Sequence, residues 1–156
     1  MKNISSGPLG GIVDTLLPMM NALRMVWIIS RYYSDDQKMG SLFTRIGREI
    51  GDRVEGSVDL KQIFKVAPGD AVDLLLTCKG VMDQWYAQYM FVREKIEVSG
   101  RDARWEFPKQ LLFARTNFMS EICTDLIDIV EIVDDFIKFL GPDLKVSCCL
   151  ICRNSH

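Results

Sequence analysis

The chain is predicted to be all-α, an elongated bundle of about four helices whose last two are long and form an antiparallel hairpin. Three observations predict it. Apolar residues recur at three- and four-residue spacings through residues 75–96 and 112–140, runs well beyond an average helix. No stretch shows the two-residue alternation of a half-buried strand. The breaks between runs fall at turn sequences such as "APGD" (67–70) and "GPD" (141–143).

Residues 1–13, "MKNISSGPLGGIV", read as an irregular lead-in. Pro18 suits the first turn of a helix, where its missing N–H costs nothing. Leu16, Met20, Leu23 and Trp27 then share one face. "SDDQ" (34–37) is a helix start, with Ser34 as the cap and acids at the positive end of the dipole. The second helix, about 35–54, carries the stripe Met39, Leu42/Phe43, Ile46, Ile50 and Val54, and Gly56 is expected to end it. Gly40, Gly47 and Gly51 lie beside that stripe. Each glycine costs about 1 kcal/mol against alanine in a helix, so they mark either a close helix approach or a soft helix. Residues 58–65 read as a short extra helix or turn.

After "APGD", Leu75, Cys78, Met82, Trp85, Tyr89, Val92 and Ile96 form an unbroken seam on a helix roughly 40 to 45 Å long. The last helix is expected from near Pro108, with Leu112, Met119, Ile122, Leu126, Ile129, Val133, Phe136 and Leu140 inward and Arg115 interrupting the rhythm. Between them "SGRDARWEF" (99–107) reads as the hairpin turn, with Trp105 and Phe107 folding over the open end of the bundle. Residues 14–145 are thus one helical module, and 146–156 an irregular cysteine-containing tail.

Chemistry is sparse. The single histidine is the terminal His156, which leaves Ser and Cys nucleophiles without an imidazole base. No phosphate-binding glycine loop and no H-E-x-x-H pair occurs. A net charge of −2 gives no electrostatic reason for a nucleic-acid partner. "MVWII" (25–29), flanked by Arg24 and Arg31, is too short a run to cross about 30 Å of hydrocarbon, so no membrane is expected. The odd count of five cysteines with no secretory signal points to reduced thiols. Cys149 and Cys152, followed by His156, have the spacing of half a zinc site, but a structural site needs four ligands. No metal and no cofactor is expected, and no catalytic residue is named.

Glu121, Asp125, Asp128, Glu131, Asp134 and Asp135 form an acidic run with no base between Arg115 and Lys138. It reads either as a solvated helix face or as a docking face for a basic partner.

"NALRMVWIISRYYSDDQKMGSLFTRIGREIGDRV" (21–54), "VDLKQIF" (58–64) and "REKIEVSGRDARWEFPKQLLFARTNFMSEICTDL" (93–126) together resemble the N-terminal tail region of axonemal dynein heavy chains. The resemblance covers about residues 7–145. It implies a piece of a microtubule motor of cilia and flagella, located in the cytoskeleton of the axoneme. The implied role is non-catalytic: the family's ATPase modules and stalk are not represented, and the tail associates with other heavy chains and with intermediate and light chains. The start at Met1 and the ending "KVSCCLICRNSH" depart from the family and suggest a truncated or alternatively ended product.

The leading expectation is an assembly segment of such a heavy chain, with self-association expected from exposed apolar edges. Its candidate contact residues are Trp27, Arg31 and Tyr32 near the opening helix, and the seam residues Trp85, Tyr89, Met119 and Ile122, divided between core and partner. Glu121, Asp125 and Asp128 are the acidic candidates. The alternative is a self-contained helical adaptor working through its acidic last helix.

Overall fold

A computed structural model describes residues 8–99 and 105–141. The described residues form six helices and no strand: α1 Pro8–Ile29, α2 Asp36–Ser57, α3 Leu60–Ile63, α4 Pro68–Val98, α5 Lys109–Leu112 and α6 Ala114–Leu140. Four are long and two are single turns.

α1 starts at Pro8, so residues 8–13 are helical rather than irregular. Pro8 fills the first-turn role expected of Pro18, which instead lies inside the helix and cannot donate to the carbonyl four residues earlier. Leu9, Leu16, Met20, Leu23 and Trp27 are its buried face. The cap of α2 is Asp35, one residue beyond the expected Ser34: its carboxylate accepts from the N–H groups of Gln37 at 2.9 Å and Lys38 at 3.1 Å. A carboxylate there satisfies orphan donors and opposes the positive helix end, while the Ser34 hydroxyl donates back to the Arg31 carbonyl. α2 runs through Gly56 because that glycine does not take the left-handed conformation that closes a helix. Asp59 caps α3 by accepting from Lys61 N–H at 2.9 Å.

α4 has Pro68 in its first turn and 31 residues, about 46 Å at 1.5 Å per residue. All seven of its expected seam residues, Leu75 to Ile96, are buried. It packs against α1 on one side and α6 on the other, while α2 packs against α6 and α5.

The last helix is not continuous from Pro108. It breaks at Phe113, which closes α5 with φ −104° and ψ 2°. Successive residues of an α-helix point about 100° apart, and the break lets both Leu112 and Phe113 reach the core. Beyond it, α6 buries Thr116, Met119, Cys123, Leu126 and Val130. The expected seam holds at Leu112, Met119 and Leu126, whereas Cys123 is buried in place of Ile122, which is half-buried, and Val130 in place of Ile129, which is exposed; beyond it Val133, Phe136 and Leu140 are exposed. Gly141, at φ 77°, ends the helix in the conformation that favours glycine.

Aromatic rings join these elements. Phe43 of α2 meets Trp105 at 5.2 Å, Phe107 at 5.3 Å, Tyr89 at 5.7 Å and Trp85 at 6.1 Å between centroids. Phe113 meets Tyr86, Tyr89 and Trp85, and Trp27 brings α1 against Trp105 and Phe107 edge to face. The Phe107 N–H donates to the Tyr89 hydroxyl oxygen at 3.3 Å. Trp105 and Phe107 are thus buried, as their position after the turn predicts. Residues 100–104 of that turn and the cysteine tail from 142 onward lie outside the described residues.

The α2 glycines allow a close approach at two places. A Cβ on Gly47 would sit 2.6 Å from the Leu112 carbonyl oxygen, and one on Gly51 would sit 2.6 Å from Arg115 Cγ. Gly40 has ordinary room, its nearest neighbour being Phe107 at 3.9 Å.

Gly47→Ala should destabilise the fold by about 1–3 kcal/mol, because backbone must move to admit the methyl group. Gly80→Ala, where nothing lies within 4 Å, should stabilise by about 0.5–1 kcal/mol through helix propensity. Urea unfolding of the two variants beside the parent checks both signs. A second prediction concerns pH. Burial raises the Tyr89 phenol above its ordinary value, so the folded state resists its ionisation. Stability from this group is fully present below the unfolded tyrosine pKa of about 10 and is lost as pH rises beyond it. Tyr89→Phe should be less steeply destabilised above that pH than the parent, as measured by urea midpoints across the alkaline range.

Candidate interaction surface

The residues singled out in the sequence divide by burial. Trp27, Trp85, Tyr89 and Met119 have at most 5% of their surface exposed. Their side chains are occupied by internal packing, as the aromatic contacts above describe. Arg31, Tyr32, Glu121, Asp125 and Asp128 are exposed, and Ile122 is half-buried.

Tyr32 stands in the turn between α1 and α2, which holds itself by the Ser34 hydroxyl bond and by the Tyr33 N–H donating to Ser30 Oγ at 3.3 Å. Its ring meets Tyr33 edge to face at 5.0 Å, and the Lys38 ammonium lies 4.0 Å from the ring centre. That arrangement presents an aromatic and a cation together, and Arg31 adds a second cation beside them. On α6, Glu121, Asp125 and Asp128 point outward with no ion-pair partner among the described residues. Arg115, the residue that interrupts the expected seam, instead bonds Asp52 at 2.8 Å and Glu55 at 2.6 Å on α2. At partial exposure each such pair contributes about 0.2–1 kcal/mol. Together they fix the α2–α6 register next to Gly51.

Two further unpartnered apolar areas were not singled out in the sequence as contact surfaces. The outward face of α1 carries Leu17, Met25, Val26, Ile28 and Ile29, the last 70% exposed. Counting "MVWII" alone missed this: as a helix, Leu9–Ile29 is long and apolar enough to cross a membrane by length and composition. Its opposite face is the buried one that packs on α4, and amphipathic spacing in a core helix passes the same test of composition. The second area is the end of α6, where Phe136 is 61% and Phe139 87% exposed. The signal for it was present in the sequence as a helix apolar on more than one side, "IVEIVDDFIKFL".

No group of three His, Cys, Asp or Glu side chains that could hold a metal occurs among the described residues. Cys149, Cys152 and His156 lie outside them. Cys78 and Cys123 are both buried as free thiols at the α4–α6 interface. A hydrogen bond to Cys123, together with burial, pushes the Cys78 thiol up, and the same bond draws Cys123 down. The buried Cys78 thiol, held protonated in this way, is a packing group rather than a nucleophile.

Comparison with known proteins gives one family. The family model "Dynein heavy chain, N-terminal region 1" matches residues 1–149. The Dynein-1-alpha heavy chain of the flagellar inner arm I1 complex from Chlamydomonas reinhardtii is 74% identical over 144 residues, covering 92% of this chain and 3% of the relative. Human Dynein axonemal heavy chain 10 is 43% identical over 145 residues, again 92% of this chain and 3% of the relative. The ciliary Dynein beta chain of Tripneustes gratilla is 28% identical over 114 residues, 70% of this chain and 3% of that one. The chain therefore spans a few hundredths of the length of the relatives it matches, and the matching region is the family's N-terminal one.

Proposed function

Since the chain belongs to the dynein heavy chain family, we propose that it is a non-catalytic assembly segment of an axonemal dynein heavy chain, acting where such a motor is anchored in a cilium or flagellum. In this reading it associates with other heavy chains, intermediate chains or light chains by helix-face packing. The observation that carries the reading is the outward face of α1. It leaves Leu17, Met25, Val26, Ile28 and Ile29 uncovered on a helix whose other face is buried, which marks a surface for another protein. The flagellar, ciliary and axonemal names of the relatives supply the place of action, and the match to an N-terminal region supports a role apart from the motor's ATP chemistry.

The same reading takes α4 and α6 as an antiparallel pair in an elongated bundle. Trp85 and Tyr89 meet Phe113, Cys78 meets Cys123, and Lys79 Nζ donates to Thr124 Oγ1, so numbers fall on one helix as they rise on the other. The adaptor reading is favoured by a separate observation, the unpaired acids of α6, which would recruit a basic partner. Arg31 and Tyr32 fit the assembly reading, whereas Glu121, Asp125 and Asp128, with Ile122 beside them, fit the adaptor.

Binding to immobilised N-terminal regions of axonemal dynein heavy chains and to intermediate chains, measured by biolayer interferometry, tests this. The Met25→Glu/Ile28→Glu variant should bind at least about tenfold more weakly, since charges placed in an interface core together cost more than about 1.4 kcal/mol. Asp125→Lys/Asp128→Lys should leave binding within about twofold. The reverse pattern transfers the role to the acidic face, and no binding to any dynein chain overturns the assembly reading.

A further inference from the structure

We propose that Cys78 and Cys123 form a reversible disulfide that ties α4 to α6 when the protein meets a peroxide. Both thiols are free and buried, with 0% of either residue's surface exposed. They meet across the interface that these two helices share. Cys78 and Lys79 are successive on α4, and Cys123 and Thr124 are successive on α6. The Lys79 ammonium donates to Thr124 Oγ1 at 2.5 Å, and the Cys78 thiol donates to the Cys123 sulfur. The two pairs therefore sit at one level of the seam. From hydrogen-bond contact, thiols close to the sulfur–sulfur bond length of about 2.05 Å by side-chain rotation and a small approach of the helices.

The two cysteines are unequal, and that orders the chemistry. The hydrogen bond from Cys78 draws the Cys123 thiol below its ordinary value, and the Lys79 ammonium adds to this against the opposing effect of burial. Cys123 is therefore the sulfur that supplies a thiolate. It attacks one oxygen of hydrogen peroxide: an S–O bond forms, the O–O bond breaks, and the departing hydroxide takes up the proton Cys123 had lost. Cys123 is then a neutral sulfenic acid, and the thiolate acceptor that held Cys78 protonated is gone. The Cys78 sulfur attacks Cys123 Sγ, the S–O bond breaks, and the second hydroxide leaves as water with the Cys78 proton. The two sulfurs lose two electrons, which the peroxide gains. Hydrogen peroxide is small enough to enter through a local opening between the helices.

The link closes a loop from residue 78 to residue 123 that contains the helix break at Phe113. It restricts the unfolded chain and holds the α4–α6 seam against separation. In a reducing compartment such a link is transient, so it marks exposure to oxidant. The proposal goes beyond the assembly reading and does not rest on it.

The test uses the full 156-residue chain carrying Cys148→Ser/Cys149→Ser/Cys152→Ser, which leaves Cys78 and Cys123 as its remaining thiols. The folded protein is treated with equimolar hydrogen peroxide and alkylated in denaturant, and its tryptic peptides are read by mass spectrometry. Residues 66–79 should be joined to residues 116–138 in a chain that runs as a monomer on a non-reducing gel, and dithiothreitol should separate them. The urea midpoint of the oxidised chain should lie about 1–2 M above that of the reduced one. With Cys78→Ser added, Cys123 should instead stop with a single added oxygen. Peptides that stay separate overturn the proposal, as does a link found only between two chains. So does a joined pair whose urea midpoint is at or below the reduced value, or a Cys78→Ser variant whose Cys123 gains no oxygen. Binding of dynein chains to α1, read separately, is unaffected by any of these results.

Discussion

Phe43 touches four aromatic rings, two from α4 and two from the segment ahead of α5, and the placement of the other elements follows from that contact. Aromatic pairs in edge or offset geometry contribute about 0.5–1.5 kcal/mol each beyond the area they bury. With Trp27 and Phe113 at its borders, the cluster draws on α1, α2, α4 and the start of α6 at once. Such a cluster needs α2 close to the α5–α6 junction. Gly47 supplies that proximity by offering bare backbone to the Leu112 carbonyl, which explains why a helix carries glycines that weaken its own propensity. Arg115 then holds the same seam from its rim.

How much of this was legible in the sequence depends on how many neighbours an element has and how ambiguous its residues are. α4 is flanked by helices on both sides, and every residue of its predicted seam is buried. α6 offers apolar residues in two adjacent registers, Ile122 beside Cys123 and Ile129 beside Val130. Size favours the isoleucines in a sequence reading. The fold selects the neighbours Cys123 and Val130 while it keeps Met119 and Leu126 of the expected stripe. Asp35 in place of Ser34 is the same kind of ambiguity, between two adjacent capping residues.

The candidate contact residues were legible in a different way. Trp27, Trp85, Tyr89 and Met119 have the chemistry of contact residues, and burial inside this chain takes them. Large aromatic side chains at seam positions serve cores and interfaces alike, so spacing alone does not separate the two. The exposed candidates lie at the turn after α1 and on α6, at the margins of the packed body. What spacing could not convey is which side of α1 has a neighbour. Both sides are apolar, and only the packing on α4 distinguishes them.

Gly51 and Arg115 also bear on how this region can change over time. The arginine's Cγ occupies the place where a side chain at 51 would begin, while its guanidinium reaches Asp52 and Glu55. A lineage that first shortens residue 115 loses two ion pairs of modest worth and opens room at 51. One that first acquires a side chain at 51 must displace the arginine before anything is gained. The order of substitution therefore matters, and the two positions are expected to drift together among descendants of this sequence rather than singly.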